Sequence, residues 1–245
     1  MILKSQVKYI QSLNEKKFRN EEGVFVAEGP KIVRELMAAS NMQVVTLFAT
    51  TPWLSSLTNL QELSAELHEL SEDELQRISF MATPNQVLGV FKQPAFAVDS
   101  LFADNLSLLL DGIQDPGNMG TIIRIADWFG IRQVIASRNS VDVFNPKVIQ
   151  STMGSIARVQ ITYHDIDEFI GQHAGIPLYA SSLNGKPLAS FGKVKEGMLL
   201  IGNESKGVRD ELIERAQHQV TIPRFGDAES LNAAVATGII LSHLR

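Results

Sequence analysis

Short apolar runs alternate with helical segments over residues 106–245, and this alternation limits the possible folds more than any other feature of the sequence. The first run, Leu106–Leu110, is apolar on both faces, as in strands of a parallel sheet that is covered by helices. Further strands are predicted at 133–136, 177–182, 198–202 and 219–222, with helices at 119–129, 165–174 and 208–216 among them. Alternating strands and helices are typical of α/β folds, so this stretch is predicted to form a doubly wound parallel-sheet domain.

Residues 1–95 predict a second, smaller α/β domain. Strands are predicted at Val24–Ala27, Val44–Phe48 and Val87–Phe91, and Pro30 suits the first turn of a helix. Ser71 and Glu74 have the spacing of a capping box at a helix start. Residues 96–105 show little periodicity and are predicted to be a linker, which divides the chain into domains 1–95 and 106–245.

Composition excludes several classes of protein. Hydrophobic residues make up 44% of the 245 residues and charged residues 20%, which is typical of a folded globular chain. The sequence has no run of about 18 apolar residues, so we expect no membrane span. It has no cysteine, and its five histidines lack ligand spacing, so we expect no metal site and a cytoplasmic location.

Charge is unevenly distributed near the N-terminus. The net charge of −5 argues against a nucleic-acid partner, because phosphate binding usually requires a basic excess. Residues 3–19 nevertheless hold one carboxylate, Glu15, and five basic residues: Lys4, Lys8, Lys16, Lys17 and Arg19. Residues 54–76 hold six carboxylates and no lysine or arginine. The pattern indicates either a local RNA-binding patch or two solvated helix faces.

Polar loops that contain glycine follow three of the apolar strands, at residues 111–120, 202–207 and 223–232. The carboxyl ends of parallel strands share one edge of a sheet, and ligands of α/β proteins bind there. None of the three loops contains a Walker P-loop or the Gly-x-Gly-x-x-Gly fingerprint. The usual ATP and NAD sites are therefore not indicated, and an ordinary Rossmann-type nucleotide enzyme is disfavoured.

These loops resemble the motifs of the SpoU family of RNA ribose 2′-O-methyltransferases, within the SPOUT superfamily. The first motif matches Asn118, Gly120, Arg124 and Ala126; the second matches Gly202-Asn203-Glu204 and Gly207; the third matches Ile222-Pro223 and Ser230-Leu231-Asn232. Residues 16–29 resemble the α/β RNA substrate-binding domain that many members carry. The resemblance implies S-adenosylmethionine as methyl donor, a deep trefoil knot in the C-terminal domain and a homodimer.

The resemblance also implies roles for individual residues. The implied catalytic residues are Arg124, Asn118, Glu204, Ser230 and Asn232; the implied cofactor-binding residues are Ser182, Gly202, Asn203, Ile222 and Leu231. Lys16, Lys17 and Arg19 are the candidates for contacts with RNA. Glu204 is expected beside Asn118 and Arg124, where it holds the guanidinium in place.

Local chemistry leaves other interpretations open for the same residues. Asn118 and Ser230 are each plausible N-caps of the helices that follow them. Arg124 could form an interhelical salt bridge, and Glu204 could be a carboxylate favoured by a helix dipole.

The implied function is methyl transfer to a ribose 2′-hydroxyl of structured RNA, with rRNA favoured over tRNA and with no membrane or metal partner. The alternatives are a tRNA ribose methyltransferase and a catalytically inactive RNA-binding protein of the same fold.

Overall fold

A computed structural model describes residues 1–58, 64–96 and 105–245 of the chain. By packing, these residues form two compact units, the first from residues 1–95 with 142–157 and the second from 96–141 with 158–245. Of the predicted linker, only Phe96 and Asn105 belong to the described residues. Residues 142–157 were predicted to lie in the C-terminal domain, but they pack with the N-terminal unit.

The first unit is built on a four-stranded sheet. Its elements before residue 95 are α1 (Lys4–Ser12), α2 (Lys16–Glu22), β1 (Val24–Glu28), α3 (Pro30–Ala38), β2 (Val44–Ala49), α4 (Thr51–Leu54), β3 (Glu66–Glu69), α5 (Glu72–Gln76) and β4 (Val87–Lys92). The strand order is β1-β4-β2-β3, in which β2 and β3 are parallel and the other pairs antiparallel. The predicted capping box forms, because Ser71 Oγ accepts from the Glu74 amide and the Glu74 carboxylate accepts from the Ser71 amide.

One strand of this unit was not predicted. β3 lies in the acidic stretch 54–76, and three of its four residues are exposed. A short, charged strand with an exposed surface is typical of a sheet edge, where it lacks the apolar alternation that reveals inner strands. The acidic stretch is therefore partly an edge strand and not only a solvated helix face.

The second unit is built on a six-stranded, all-parallel sheet. Its elements are β5 (Leu106–Asp111), α6 (Pro116–Trp128), β6 (Gln133–Ser137), β7 (Gln160–His164), α8 (Ile166–Gln172), β8 (Leu178–Pro187), β9 (Gly197–Gly202), α9 (Asp210–Arg215), β10 (His218–Thr221) and α10 (Ala233–Leu244). The strand order is β10-β8-β9-β5-β6-β7, and every neighbouring pair is parallel. The predicted parallel-sheet α/β fold is confirmed, while the edge strand β7 was missed.

The parallel arrangement brings the three polar loops to one edge of this sheet. β5 and β9 are buried along their whole length, and Asp111 at the end of β5 pairs in register with Gly202 at the end of β9. The loops after β5, β9 and β10 therefore all leave the sheet at its carboxyl edge.

A helix of the crossover between β6 and β7, α7 (Pro146–Thr152), belongs to the first unit. The ring of Phe144, just before it, stacks on Phe25 of β1 at a centroid distance of 5.2 Å. Arg19 is 1% exposed, donates to the carbonyl oxygens of Leu13 and Asn14 at 2.8 Å, and forms an ion pair with Asp142. The prediction that Arg19 contacts RNA is wrong, because its guanidinium is buried and bound within the protein.

No helix in the described ranges has the length and apolar character needed to cross a membrane. Over the same ranges, no cluster of three or more His, Asp or Glu side chains is arranged to hold a metal ion.

Candidate active site

The loop after β5 leads into α6, and its local chemistry decides where that helix begins. Asp115 is the N-cap, since its carboxylate accepts from the Asn118 amide at 2.8 Å, and Pro116 occupies the first turn. The helix therefore begins before Met119, and Asn118 lies within its first turn. The N-cap interpretation of Asn118 is wrong, and its side chain is available for other contacts.

The loop after β10 ends at the N-cap of α10, which is Asn232. Its Oδ1 accepts from the amides of Ala234 at 2.9 Å and Val235 at 3.3 Å. The N-cap interpretation of Ser230 is therefore also wrong, because the helix begins at Ala233. Ser230 is exposed two residues before the cap.

A chain of side-chain hydrogen bonds, which we call the amide relay, joins Glu204, Asn118 and Asn232. Asn232 Nδ2 donates to Asn118 Oδ1 at 2.7 Å, and Asn118 Nδ2 donates to Glu204 Oε1 at 2.9 Å. The Glu204 carboxylate can only accept hydrogen bonds, and the backbone amides at the start of α10 can only donate them. These two sets of partners therefore decide which side-chain atom of each asparagine is the oxygen and which is the nitrogen. The relay connects one residue from each of the three predicted motifs.

The loop after β9 is held in place by its own hydrogen bonds and by an ion pair. Asn203 and Gly207 exchange two backbone hydrogen bonds, and Asn203 Nδ2 donates to the Gly112 carbonyl at 2.7 Å. A Cβ atom on Gly202 would lie 2.1 Å from the Gly207 carbonyl carbon, so only glycine permits this close approach. Arg209 Nε lies 3.0 Å from the buried Asp111 carboxylate.

Sequence reasoning missed the pair of Asp111 and Arg209. The only signal was a carboxylate at the end of an otherwise apolar strand, where an unpaired charge would be costly. The ion pair ties the loop after β9 to the end of β5, which fixes the wall of the neighbouring cavity.

A cavity of about 560 Å³ lies beside these loops, a volume typical of small-molecule sites. Seven of the predicted site residues line it: Ser182, Gly202, Asn203, Glu204, Ile222, Ser230 and Leu231. Cavity-lining residues that were not predicted include Lys206, Asp210, Phe225 and Glu229. The apolar side chains of Ile222 and Leu231 offer a surface for a flat ring. The charged lining consists of three carboxylates and two basic side chains, Lys206 and Arg224, for a net charge of −1.

Arg124 lies apart from the amide relay. Six residues separate it from Asn118, which places it about 240° further around α6. Its side chain is exposed and makes no ion pair or hydrogen bond with any residue that the structure describes. The salt-bridge interpretation therefore has no support, and Glu204 contacts Asn118 rather than the expected guanidinium.

Lys16 and Lys17 are exposed at the start of α2. Lys17 Nζ lies 3.9 Å from the Glu21 carboxylate, an exposed pair of small energetic weight. Their contact with RNA stays a prediction.

Comparisons with known proteins agree over nearly the whole chain. Residues 105–242 match the model of the SpoU rRNA Methylase family, and residues 4–89 match that of the MRM3-like substrate binding domain. The chain is 31% identical to the 23S rRNA (guanosine(2553)-2′-O)-methyltransferase RlmP of Bacillus subtilis, over 98% of this chain and 96% of that protein.

The comparison with solved structures also finds proteins described as RNA methyltransferases. A TrmH-family protein of Porphyromonas gingivalis, described as a candidate RNA methyltransferase, is 39% identical, with a TM-score of 0.88 over 100% of this chain and 98% of that one. An rRNA methyltransferase of Sinorhizobium meliloti, solved with S-adenosylmethionine bound, is 31% identical, with a TM-score of 0.87 over 98% and 94%. The chain belongs to the SpoU rRNA methylase family.

Proposed function

We propose that this protein transfers the methyl group of S-adenosylmethionine to a ribose 2′-hydroxyl of RNA, with ribosomal RNA as the substrate. The observation that carries the proposal is the amide relay beside a cavity lined by all five residues predicted to hold the cofactor. The name of the Bacillus subtilis relative, an rRNA 2′-O-methyltransferase, favours rRNA over the tRNA alternative.

The cavity fits S-adenosylmethionine in size and chemistry. Its volume of about 560 Å³ suits a nucleoside with an amino-acid tail. Gly202 lines this cavity, and its lack of a side chain lets the Gly207 backbone pack against it, which fixes the loop that borders the cavity. When bound, S-adenosylmethionine supplies a methyl group on a positively charged sulfur, which a ribose oxygen attacks directly.

The chain's own residues position the ribose and stabilise charge. The relay holds the Asn118 and Asn232 amides rigid, so they are organised before the substrate arrives. As the O–CH3 bond forms and the S–CH3 bond breaks, the 2′-hydroxyl proton passes to water. Arg124 is exposed and unpaired within the described residues, so its guanidinium can stabilise the negative charge that loss of this proton leaves on the 2′-oxygen. Arginine stays protonated at physiological pH, which makes this electrostatic role chemically easier than proton abstraction.

The proposal includes a homodimer. Its interface would be formed by α6 and α10, two helices that pack against each other within one chain. Trp128 on α6 is 84% exposed, and Val235 on α10 is 51% exposed, one turn before the exposed Ile239. Such apolar surface is typical of a protein interface. Arg124 precedes Trp128 by one turn of α6 and would therefore lie beside this interface. Replacing Trp128 with Glu should shift the molar mass measured by light scattering from dimer to monomer.

Two further parts of the proposal rest on family membership and composition. The C-terminal domain is proposed to contain the trefoil knot implied by the SPOUT resemblance. The absence of cysteine supports a cytoplasmic protein, because reducing compartments do not favour disulfides.

Two experiments test the function. S-adenosylmethionine should raise the melting temperature, because a ligand at about 100 times its Kd stabilises the folded state by about 2.7 kcal/mol. Tritiated methyl groups should enter rRNA, and not tRNA, isolated from a strain that lacks the gene. No thermal shift at millimolar cofactor, or label in tRNA alone, would contradict the proposal, and binding without transfer would support the inactive alternative.

A further inference from the structure

The loop between β10 and α10 carries an aromatic side chain that lies in solvent. Phe225 is 99% exposed and makes no ring contact with any residue in the described part of the chain. It lines the cavity beside the relay, together with Leu183 at 73% and Leu231 at 48% exposure. Apolar side chains exposed around one cavity mark a surface that a ligand covers.

The residue before this ring supplies a positive charge. Arg224 Nη1 makes one contact, a 3.4 Å hydrogen bond to the Ala228 carbonyl oxygen. Arg158, Arg209 and Arg215 of the same unit are held in ion pairs. Arg224 has none with the described residues, as is also true of Arg124, Arg132, Arg138 and Arg245. Its guanidinium is therefore free to contact a phosphate without first breaking an ion pair.

The charges of the whole loop argue against a general site for polyanions. Asp227 and Glu229 lie within five residues of Arg224, so residues 223–232 carry one more negative than positive charge. A ligand that binds here must gain its affinity from stacking, with Arg224 as a single phosphate contact. An exposed aromatic ring next to an arginine matches single-stranded nucleic acid, because every base has a face that can stack.

We propose that Phe225 and Arg224 hold an unpaired nucleotide of the RNA substrate, with its base on the Phe225 ring and its phosphate on the Arg224 guanidinium. The inference rests on the proposed function and narrows its substrate class. Base faces inside a duplex are covered by their neighbours, so the target ribose lies in a loop, bulge or single-stranded end.

Binding measurements with two RNA probes test the inference. The probes are a single strand of about 12 nucleotides, within the usual site size, and a duplex of the same length. Phe225→Ala should weaken binding of the single strand about tenfold and leave duplex binding unchanged. Phe225→Trp should retain binding, and its added fluorescence should be quenched by the single strand.

The charge is tested in the same way. Arg224→Ala should reduce the slope of log affinity against log salt by about 0.7, the value for one phosphate contact on a single strand. Lys195→Ala is the matched control, because Lys195 is an exposed cation just before β9, at the opposite edge of the sheet from the cavity. It should leave the affinity for the single strand unchanged.

Three results would overturn the inference: unchanged single-strand affinity in Phe225→Ala, an equal loss of S-adenosylmethionine affinity in that variant, or a change in its oligomeric state. The second result would assign the ring to the cofactor, and the third to another copy of the chain. Failure of the proposed function is distinguishable, since a wild-type protein that binds RNA through Phe225 but transfers no methyl group contradicts only the function.

Discussion

The direction of the amide relay gives a sharp test at Asn232. The Glu204 carboxylate accepts at one end, and the amides of Ala234 and Val235 donate at the other. In Asn232→Asp the new carboxylate still caps α10, but it offers Asn118 an acceptor where the wild type offers a donor. Asn118 then faces carboxylates on both sides, and its one amide nitrogen cannot keep both contacts.

The expected cost follows from the contact that is lost. A hydrogen bond to a charged group contributes about 1.5–3 kcal/mol. A negative charge at a helix N-terminus returns about 0.3–1 kcal/mol. We therefore expect Asn232→Asp to lower the free energy of unfolding by about 1–2 kcal/mol. For a protein of this size that corresponds to a fall in melting temperature of about 2–8 °C, measured by calorimetry without ligand.

A second substitution, at Glu204, should reverse the direction of the hydrogen bonds in the amide relay and restore the stability that Asn232→Asp removes. In Glu204→Gln combined with Asn232→Asp, the glutamine amide can donate to Asn118 Oδ1, and Asn118 Nδ2 can donate to the carboxylate at position 232. The double variant should recover about 1–2 kcal/mol relative to the sum of the single effects. The assigned amide orientations would be refuted if the two substitutions changed the free energy of unfolding additively, or if Asn232→Asp alone left it unchanged.

Three further predictions concern single side chains. Arg124→Ala should slow methyl transfer about 10²-fold in single-turnover assays, while S-adenosylmethionine affinity and stability stay near wild type because the side chain is exposed; near-normal turnover would remove Arg124 from the mechanism. Arg19→Met should lower the free energy of unfolding by about 3–5 kcal/mol in urea, since it leaves Asp142 unpaired, whereas the exposed Lys17→Met should change it little. Burial raises the pKa of Glu28, although hydrogen bonds from Ser79 and Phe80 oppose the shift. The stability that protonated Glu28 contributes is therefore complete below its pKa in the unfolded chain, about 4.3, and is lost as pH rises through its pKa in the folded protein. Glu28→Gln should remove this fall in urea titrations, and a parallel pH profile in both proteins would contradict it.

Most strands were predictable from the sequence, including the edge strands β1 and β10, whereas the edge strands β3 and β7 were not. β5 and β9 are buried at every position, so their apolar residues are uninterrupted and visible. β3 and β7 lie at sheet edges and are mostly exposed or half-buried, which leaves no apolar run to detect. The packing of α7 with the first unit was also invisible, because Asp142 and Arg19 are 123 residues apart in sequence.

Residue types at the site were predictable, but their atomic roles were not. Asn118, Ser230 and Asn232 each suit an N-cap by chemistry, and only the structure shows that Asn232 fills that role. The sequence did contain the reason that Asn118 does not, since Asp115 followed by Pro116 is a stronger start signal. When several residues near a helix start could each be the N-cap, the surrounding sequence decides which one is, so a residue's type alone does not define its role.

The position of Arg124 has a consequence for how the site works. α6 turns Asn118 towards Glu204, and the helical period then directs Arg124 about 120° away from that side, into solvent. Arg124 does not line the cofactor cavity of its own chain, and Asn118 is joined to that cavity through Glu204. A substrate that contacts the relay must also extend along the exposed face of α6, or a second copy must bring its own Arg124 to the cavity. The two cases separate in a mixture of Arg124→Ala and Asn118→Ala proteins, because only a site shared between copies regains methyl transfer on mixing.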